Sequence, residues 1–224
     1  MVFFFVLLNQ SLTKLRKLKG KTVGNLLSEF KSNIKEFKIN KGGIGQMLLL
    51  YLGLSLDSKL TDFDDGELKT NKTDKNGNSK ETIFITQISL IIDELIGNNP
   101  KNFYQSNLFK KIKNVALVGI CKDDKDYNNW KFTYFYNFNY KNNKELFEEF
   151  NNDYTNICEK LKQHIKTSED KFIHTSNGKF IQVRSKDNKP YHAIFSKDRG
   201  RYISNKNHAF YFKKDLTKYL EKLK

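Results

Sequence analysis

Proline is almost missing from this chain, with 2 in 224 residues, and cysteine and tryptophan are as sparse, at 2 and 1. So little proline excludes polyproline and collagen-like segments. Cys121 and Cys158 stand in apolar surroundings with no Cys-x-x-Cys spacing, which excludes a disulfide scaffold and reads as two reduced, buried thiols. His164, His174, His192 and His208 lack the spacing of zinc ligands. Long hydrophobic runs are absent too. The opening "MVFFFVLL" carries only seven consecutive apolar residues after Met1, with no basic flank before it and no small-residue cleavage site after it. It reads as an edge strand, a helix start or a misplaced initiation codon, and the protein as cytoplasmic with no membrane partner.

Acidic residues are the minority charge, 25 against 40 Lys and Arg, for a net +15. The excess is uneven: residues 163–224 hold 15 Lys and Arg and 6 Asp and Glu. A field of that sign favours a polyanion, and nucleic acid is the expected partner. Hydrophobic residues make up 38% and aromatics 14%, enough for a globular core. No repeat or linker interrupts the chain, so residues 1–224 are expected to form a single domain.

Apolar spacing predicts short helices over 9–19 and 22–37, the second placing Val23, Leu26, Leu27 and Phe30 on one face. A buried helix is expected over 44–52, ending at Gly53. "GELKTNK" starts a strand, "TDKNGNSKE" is a turn with an Asn-Gly signal, and "TIFITQISL" returns as a second strand. Residues 113–121 read as a strand covered on both faces and "WKFTYFYNFNY" as an aromatic-rich strand. An amphipathic helix over 143–165 follows, then a hairpin around Asn177–Gly178, the segment "AFYFKK" and a closing helix at 214–223. The expected class is α/β (α+β), a mixed sheet with helices on its faces.

The stretch with chemistry in it is "TDFDDGELKT", residues 61–70. Alternation along a strand puts Glu67 and Lys69 on one face and Leu68 into the core. Asp62 precedes the turn at Gly66 and can fold back beside Glu67. Two carboxylates and the Leu68 carbonyl would offer hard oxygen ligands to Mg²⁺. Lys69 would then stand beside a scissile phosphate, where an ammonium stabilises developing charge. By itself, Asp-x4-Glu-x-Lys is a loose pattern.

The series "KGGIGQMLLLYLGLSLDSKLTDFDDGELKTNK", "SKETIFI", "SNLFKKIKNVALV", "GKFIQVRSKDNK" and "HAFYFKKDLTKYL" resembles, in order, the MutH/GATC-restriction-endonuclease family of PD-(D/E)xK nucleases. The resemblance runs from about residue 11 to the end. It implies a cleft-shaped restriction-endonuclease-like fold, Mg²⁺, and cutting of double-stranded DNA at GATC. Asp62, Glu67 and Lys69 match the catalytic motif, with Asp64 or Asp65 as competitors for the first carboxylate and otherwise solvated turn acids. Lys111 falls where the family has a further active-site lysine. Lys41 matches a backbone-phosphate contact, and Gly42 and Gly43 would let the main chain approach DNA closely. Arg184 and Lys186 would read guanine, Tyr211 would sit near adenine, and Lys213 and Lys214 would serve phosphates. Leu49 stands where the family commonly has a glutamate, and Asp57 is one acid that would substitute. Three functions are implied: a type II restriction enzyme paired with a methyltransferase, a mismatch-repair enzyme nicking hemimethylated GATC, and a catalytically silent DNA-binding module.

Overall fold

The computed structural model describes residues 7–29, 43–56 and 60–223. Its helices are α1 (Leu8–Arg16), α2 (Val23–Glu29), α3 (Gly43–Tyr51), α4 (Ile92–Ile96), α5 (Asn107–Ile112), α6 (Lys144–Thr167) and α7 (Lys214–Lys222). The strands are β1 (Glu67–Thr73), β2 (Ile83–Gln87), β3 (Asn114–Cys121), β4 (Lys131–Asn139), β5 (Ser176–Asn177), β6 (Ile181–Ser185), β7 (Ile194–Ser196), β8 (Arg201–Ser204) and β9 (His208–Phe212). The expected mix of helices and sheets is present. The chain packs as two compact units, one of Met1–Glu81, Ile112–Asn139 and Leu220–Lys224, the other of Thr82–Lys111 and Tyr140–Tyr219.

The first unit is built on a mixed sheet of order β1-β3-β4, with β1 parallel and β4 antiparallel to the central strand. β3 is buried along nearly its whole length, as its continuous apolar run predicts. α1, α2 and α3 close a core around Leu15, Leu26, Met47, Leu48, Leu68, Val118 and Phe132. The side chain of Thr70 lies under Gly45 of α3, where an added Cβ would stand 3.9 Å from Thr70 Oγ1. That places Leu68 and Thr70 on the α3 side of β1, so alternation sends Glu67 and Lys69 out of the opposite face.

The second unit pairs an antiparallel sheet of order β2-β9-β6-β5 with a two-stranded β7–β8 ribbon. α6 presents Phe150, Tyr154, Ile157 and Leu161 as a buried stripe, with Phe150 against Phe180 and Phe212 and Tyr154 stacked on Phe210. Glu145 in its first turn and Lys166 in its last complement the helix dipole. The hairpin at Asn177–Gly178 is present as β5–β6.

One expectation changes. β1 does not return through a hairpin into β2: β1 runs parallel to β3, whereas β2 lies in the other sheet beside β9. The Asn76–Gly77 turn does form, with Gly77 at φ 88° and Asp74 accepting the amides of Asn76 and Asn78, but it closes only the bridge of Thr73 with Ser79. The expected mixed sheet is β1-β3-β4, and among the described residues two antiparallel sheets are present besides it. The helix expected over 22–37 is described as far as Glu29, and its remainder lies outside the described residues. No helix among the described residues is long and apolar enough to cross a membrane.

Candidate active site

The turn before β1 brings Asp62 and Glu67 together. Asp62 Oδ2 accepts the amide of Leu68 at 2.9 Å, and the Asp62 amide donates to Glu67 Oε2 at 3.2 Å. The two carboxylates are thus clasped through the backbone amides of Leu68 and Asp62, with the Phe63 amide donating to the Gly66 carbonyl at 2.9 Å across the turn. Phe63, 2% exposed, is the apolar anchor that fixes the turn to the core. Glu67 is also 2% exposed. A carboxylate so far from water requires a compensating positive charge. Lys69 supplies it, with Nζ 2.6 Å from Glu67 Oε1 and a side chain itself 17% exposed. Along the same strand face, Asn71 donates to Tyr134 Oη at 2.7 Å and Thr73 Oγ1 lies 3.0 Å from Thr133 Oγ1, so the face is polar throughout.

The remaining acids of the cluster divide. Asp64 is exposed. Asp65 corrects the expectation of a solvated turn acid: its Oδ1 accepts the amide of Leu8 at 2.7 Å and its Oδ2 that of the Asn114 side chain at 3.3 Å. It therefore satisfies an N-terminal amide of α1, where a negative charge is favoured. Gly66 makes this close approach possible, because a Cβ there would meet the Asn114 carbonyl and Leu8 Cδ2, each at 2.8 Å. Asp65 is engaged in structure and Asp62 is the acid beside Glu67.

The donor set suits a hard divalent cation. Asp62, Glu67 and the Leu68 carbonyl carry only oxygen donors, and the buried charge of Glu67 calls for a cation. Among the described residues no third acid, histidine or cysteine gathers with them. Leu49 is half-buried and packs against the hydrophobic core, so that position serves α3 packing. Asp57, Lys41 and Gly42 lie outside the described residues.

Lys111 occupies the last turn of α5 and is half-buried. The start of α5 is held by Glu94, which accepts the Asn107 amide at 2.5 Å and its side-chain nitrogen at 2.8 Å, and which pairs with Lys101 at 2.8 Å. In the second unit, Arg184 and Lys186 flank a pair of rings, one cation at each end. Arg184 Cζ lies 4.8 Å from the Tyr211 centroid, Tyr211 meets Phe84 edge-on at 5.8 Å, and Lys186 Nζ stands 3.8 Å over Phe84. Burial raises the Tyr211 phenol above its usual pKa, and the Arg184 charge alongside opposes that rise. Lys213 instead donates to the Gly178 carbonyl at 2.8 Å, which ties β9 to the β5–β6 turn; Lys214 is exposed. Asp153 went unnoticed in the sequence because it sits among apolar positions of α6. Its carboxylate, 3% exposed, accepts the amides of Lys179, Phe180 and Ile181 and so anchors the hairpin that carries Arg184.

No curated protein matches the chain. Among solved structures, a complex of the restriction endonuclease MvaI with its cognate DNA substrate is similar at a TM-score of 0.43 and 14% identity, over 99% of this chain and 96% of that one. A family model described as the DNA mismatch repair enzyme MutH matches residues 52–153, a stretch that holds Asp62, Glu67, Lys69 and Lys111. Over residues 52–153, then, the chain is similar in sequence to the MutH family.

Proposed function

We propose that the protein is a Mg²⁺-dependent DNA endonuclease that hydrolyses phosphodiester bonds at GATC, acting as a type II restriction enzyme with both units serving one nuclease domain. The observation that carries this reading is the Asp62–Glu67–Lys69 group: two clasped carboxylates with a lysine ammonium 2.6 Å from the buried one. Asp62, Glu67 and the Leu68 carbonyl would hold the ion. The chemistry it supplies when bound is polarisation of a phosphate oxygen and activation of water. Lys69 moves from neutralising Glu67 to stabilising the charge that develops on the phosphate. By the resemblance, Lys111 is a further lysine with a role in cleavage. Arg184 and Lys186 donate to guanine edges, Tyr211 lies against the adenine, and Lys41, Gly42 and Lys213 serve the phosphate backbone. A methyltransferase of the same system would protect the host's own sites.

The matching family's description favours a second reading, a repair nuclease that nicks the unmethylated strand of hemimethylated GATC. One experiment tests both. Purified protein with Mg²⁺ is incubated with plasmids carrying unmethylated, hemimethylated or fully methylated GATC. Double-strand cleavage without other proteins supports restriction, and weak nicking of unmethylated strands supports repair. Binding with no cleavage in Mg²⁺ or Mn²⁺ refutes both and leaves a silent DNA-binding module.

A further inference from the structure

The β7–β8 ribbon carries a feature that the catalytic and reading residues do not use. Phe195 and Tyr202 are cross-strand partners with ring centroids 5.2 Å apart at 74°, yet they are 45% and 58% exposed. Tyr191, just before the ribbon, is 53% exposed, so three of the four large exposed aromatics among the described residues fall within 191–202. The ribbon is not frayed. Ile194, Ser196 and Ile203 on its other side are buried. Ser196 Oγ donates to Asp93, the Lys197 amide donates to Asp93 Oδ2 at 2.9 Å, and Arg199 Nη2 donates to the Ile96 carbonyl at 2.6 Å. A firmly anchored ribbon holds out two rings whose exposure to water is unfavourable, a combination that marks a contact surface.

The local charge selects the partner. Residues 186–206 carry six Lys and Arg against Asp187 and Asp198. Both acids are engaged internally: Asp187 accepts the amides of His192 and Asn207, and Asp198 that of Asn98. Rings presented in a positive field suit a polyanion with apolar faces, which is a nucleic acid.

We propose that the exposed face of the β7–β8 ribbon is a second DNA-contacting surface, on which Phe195 and Tyr202 pack their rings against the bases of duplex DNA while Lys197 meets the backbone. This inference rests on the reading of the protein as a DNA endonuclease and adds a surface to it. Aromatic contact of this kind either stacks on a base or wedges between base steps, locally unstacking them.

The test uses the full chain, a fluorescent GATC duplex and Ca²⁺ in place of Mg²⁺, with binding read by anisotropy and base unstacking by 2-aminopurine placed in and beside the site. Phe195→Ala with Tyr202→Ala should weaken binding by roughly a hundredfold and abolish any 2-aminopurine signal, because stacked rings are worth about a tenfold factor or more each. The pair Phe195→Leu and Tyr202→Leu keeps the apolar surface and the fold but removes the rings, and should lose binding nearly as much. Tyr202→Phe should bind as wild type. Lys197→Ala should lower the slope of log affinity against log salt by about 1, which the aromatic variants should leave unchanged. Wild-type DNA affinity in either aromatic double variant overturns the inference. Full affinity in the leucine pair with loss in the alanine pair also overturns it, pointing to an apolar protein contact. Failure of the wild-type protein to bind any DNA overturns the nuclease reading itself, a result that the variants' comparison cannot produce.

Discussion

Within a run of four acids, each side chain is distinguished by what it touches. Asp62 accepts the Leu68 amide and donates its own amide to Glu67 across the turn, whereas Asp65 reaches back to the first turn of α1. Asp65→Ala should cost about 1–2 kcal/mol, the usual loss for an acid that satisfies an N-terminal helix amide. Asp65→Asn, which keeps one acceptor, should recover much of it; urea denaturation of the two variants checks this. Asp153 should be the more damaging loss, because one buried carboxylate satisfies three amides. Asp153→Ala should cost about 3 kcal/mol or more by stranding those donors away from water. The approach of Asp62 to Glu67 was legible from the motif because alternation and turn chemistry are local. The roles of Asp65 and Asp153 were not, since their partners are 57 and up to 28 residues distant in the chain.

At the scale of elements, periodicity identified what is long and amphipathic: α6, the buried β3 and the helix over 44–52 all appear where the apolar pattern puts them. Pairing was the weak point. The Asn-Gly turn is real, yet β1 finds its partner in β3 across a parallel crossover, and nothing local to β1 encodes that choice. The five-residue α4 and six-residue α5 are too short to show a period, although α5 carries Lys111. For α3, Leu49 belongs to a packed face, so Leu49→Ala should cost about 1–2 kcal/mol, less than a fully buried leucine, while leaving the metal requirement of cleavage unchanged. β9 opens on His208, whose pKa burial holds below its ordinary 6.5, helped by the nearby Lys206 and His174 charges and opposed by the Lys206 carbonyl and Asp187. With the folded value below the unfolded one, the unfolded chain binds more protons in the interval between them. Stability is therefore full above about pH 6.5 and falls as pH drops from there toward the folded value. Melting temperatures taken from about pH 8 down to 5 should show this decline, and His208→Gln should flatten it.

Considered as a whole, the molecule keeps its candidate chemistry and its candidate reading residues in different parts of the chain. Asp62, Glu67 and Lys69 belong to one compact unit, and Arg184, Lys186 and Tyr211 to the other. The net charge of +15 makes the binding contribution largely electrostatic. If six or more phosphates are contacted, affinity should fall by roughly a thousandfold or more between about 50 and 200 mM salt. Binding and cutting should then separate by mutation. On the proposed mechanism Lys69→Ala removes a charge that acts on the phosphate as negative charge develops, so single-turnover cleavage should slow by about 10²-fold or more with the dissociation constant nearly unchanged. Arg184→Ala would remove the proposed base contact, worth about 1–3 kcal/mol, so affinity should drop and discrimination at the guanine relax. At saturating DNA its cleavage rate should approach that of the wild type, because the Asp62–Glu67–Lys69 group is untouched. Single-turnover rates measured against DNA concentration for both variants separate these effects. Equal loss of affinity in Lys69→Ala, or a depressed saturating rate in Arg184→Ala, would show that reading and chemistry are one coupled function rather than two.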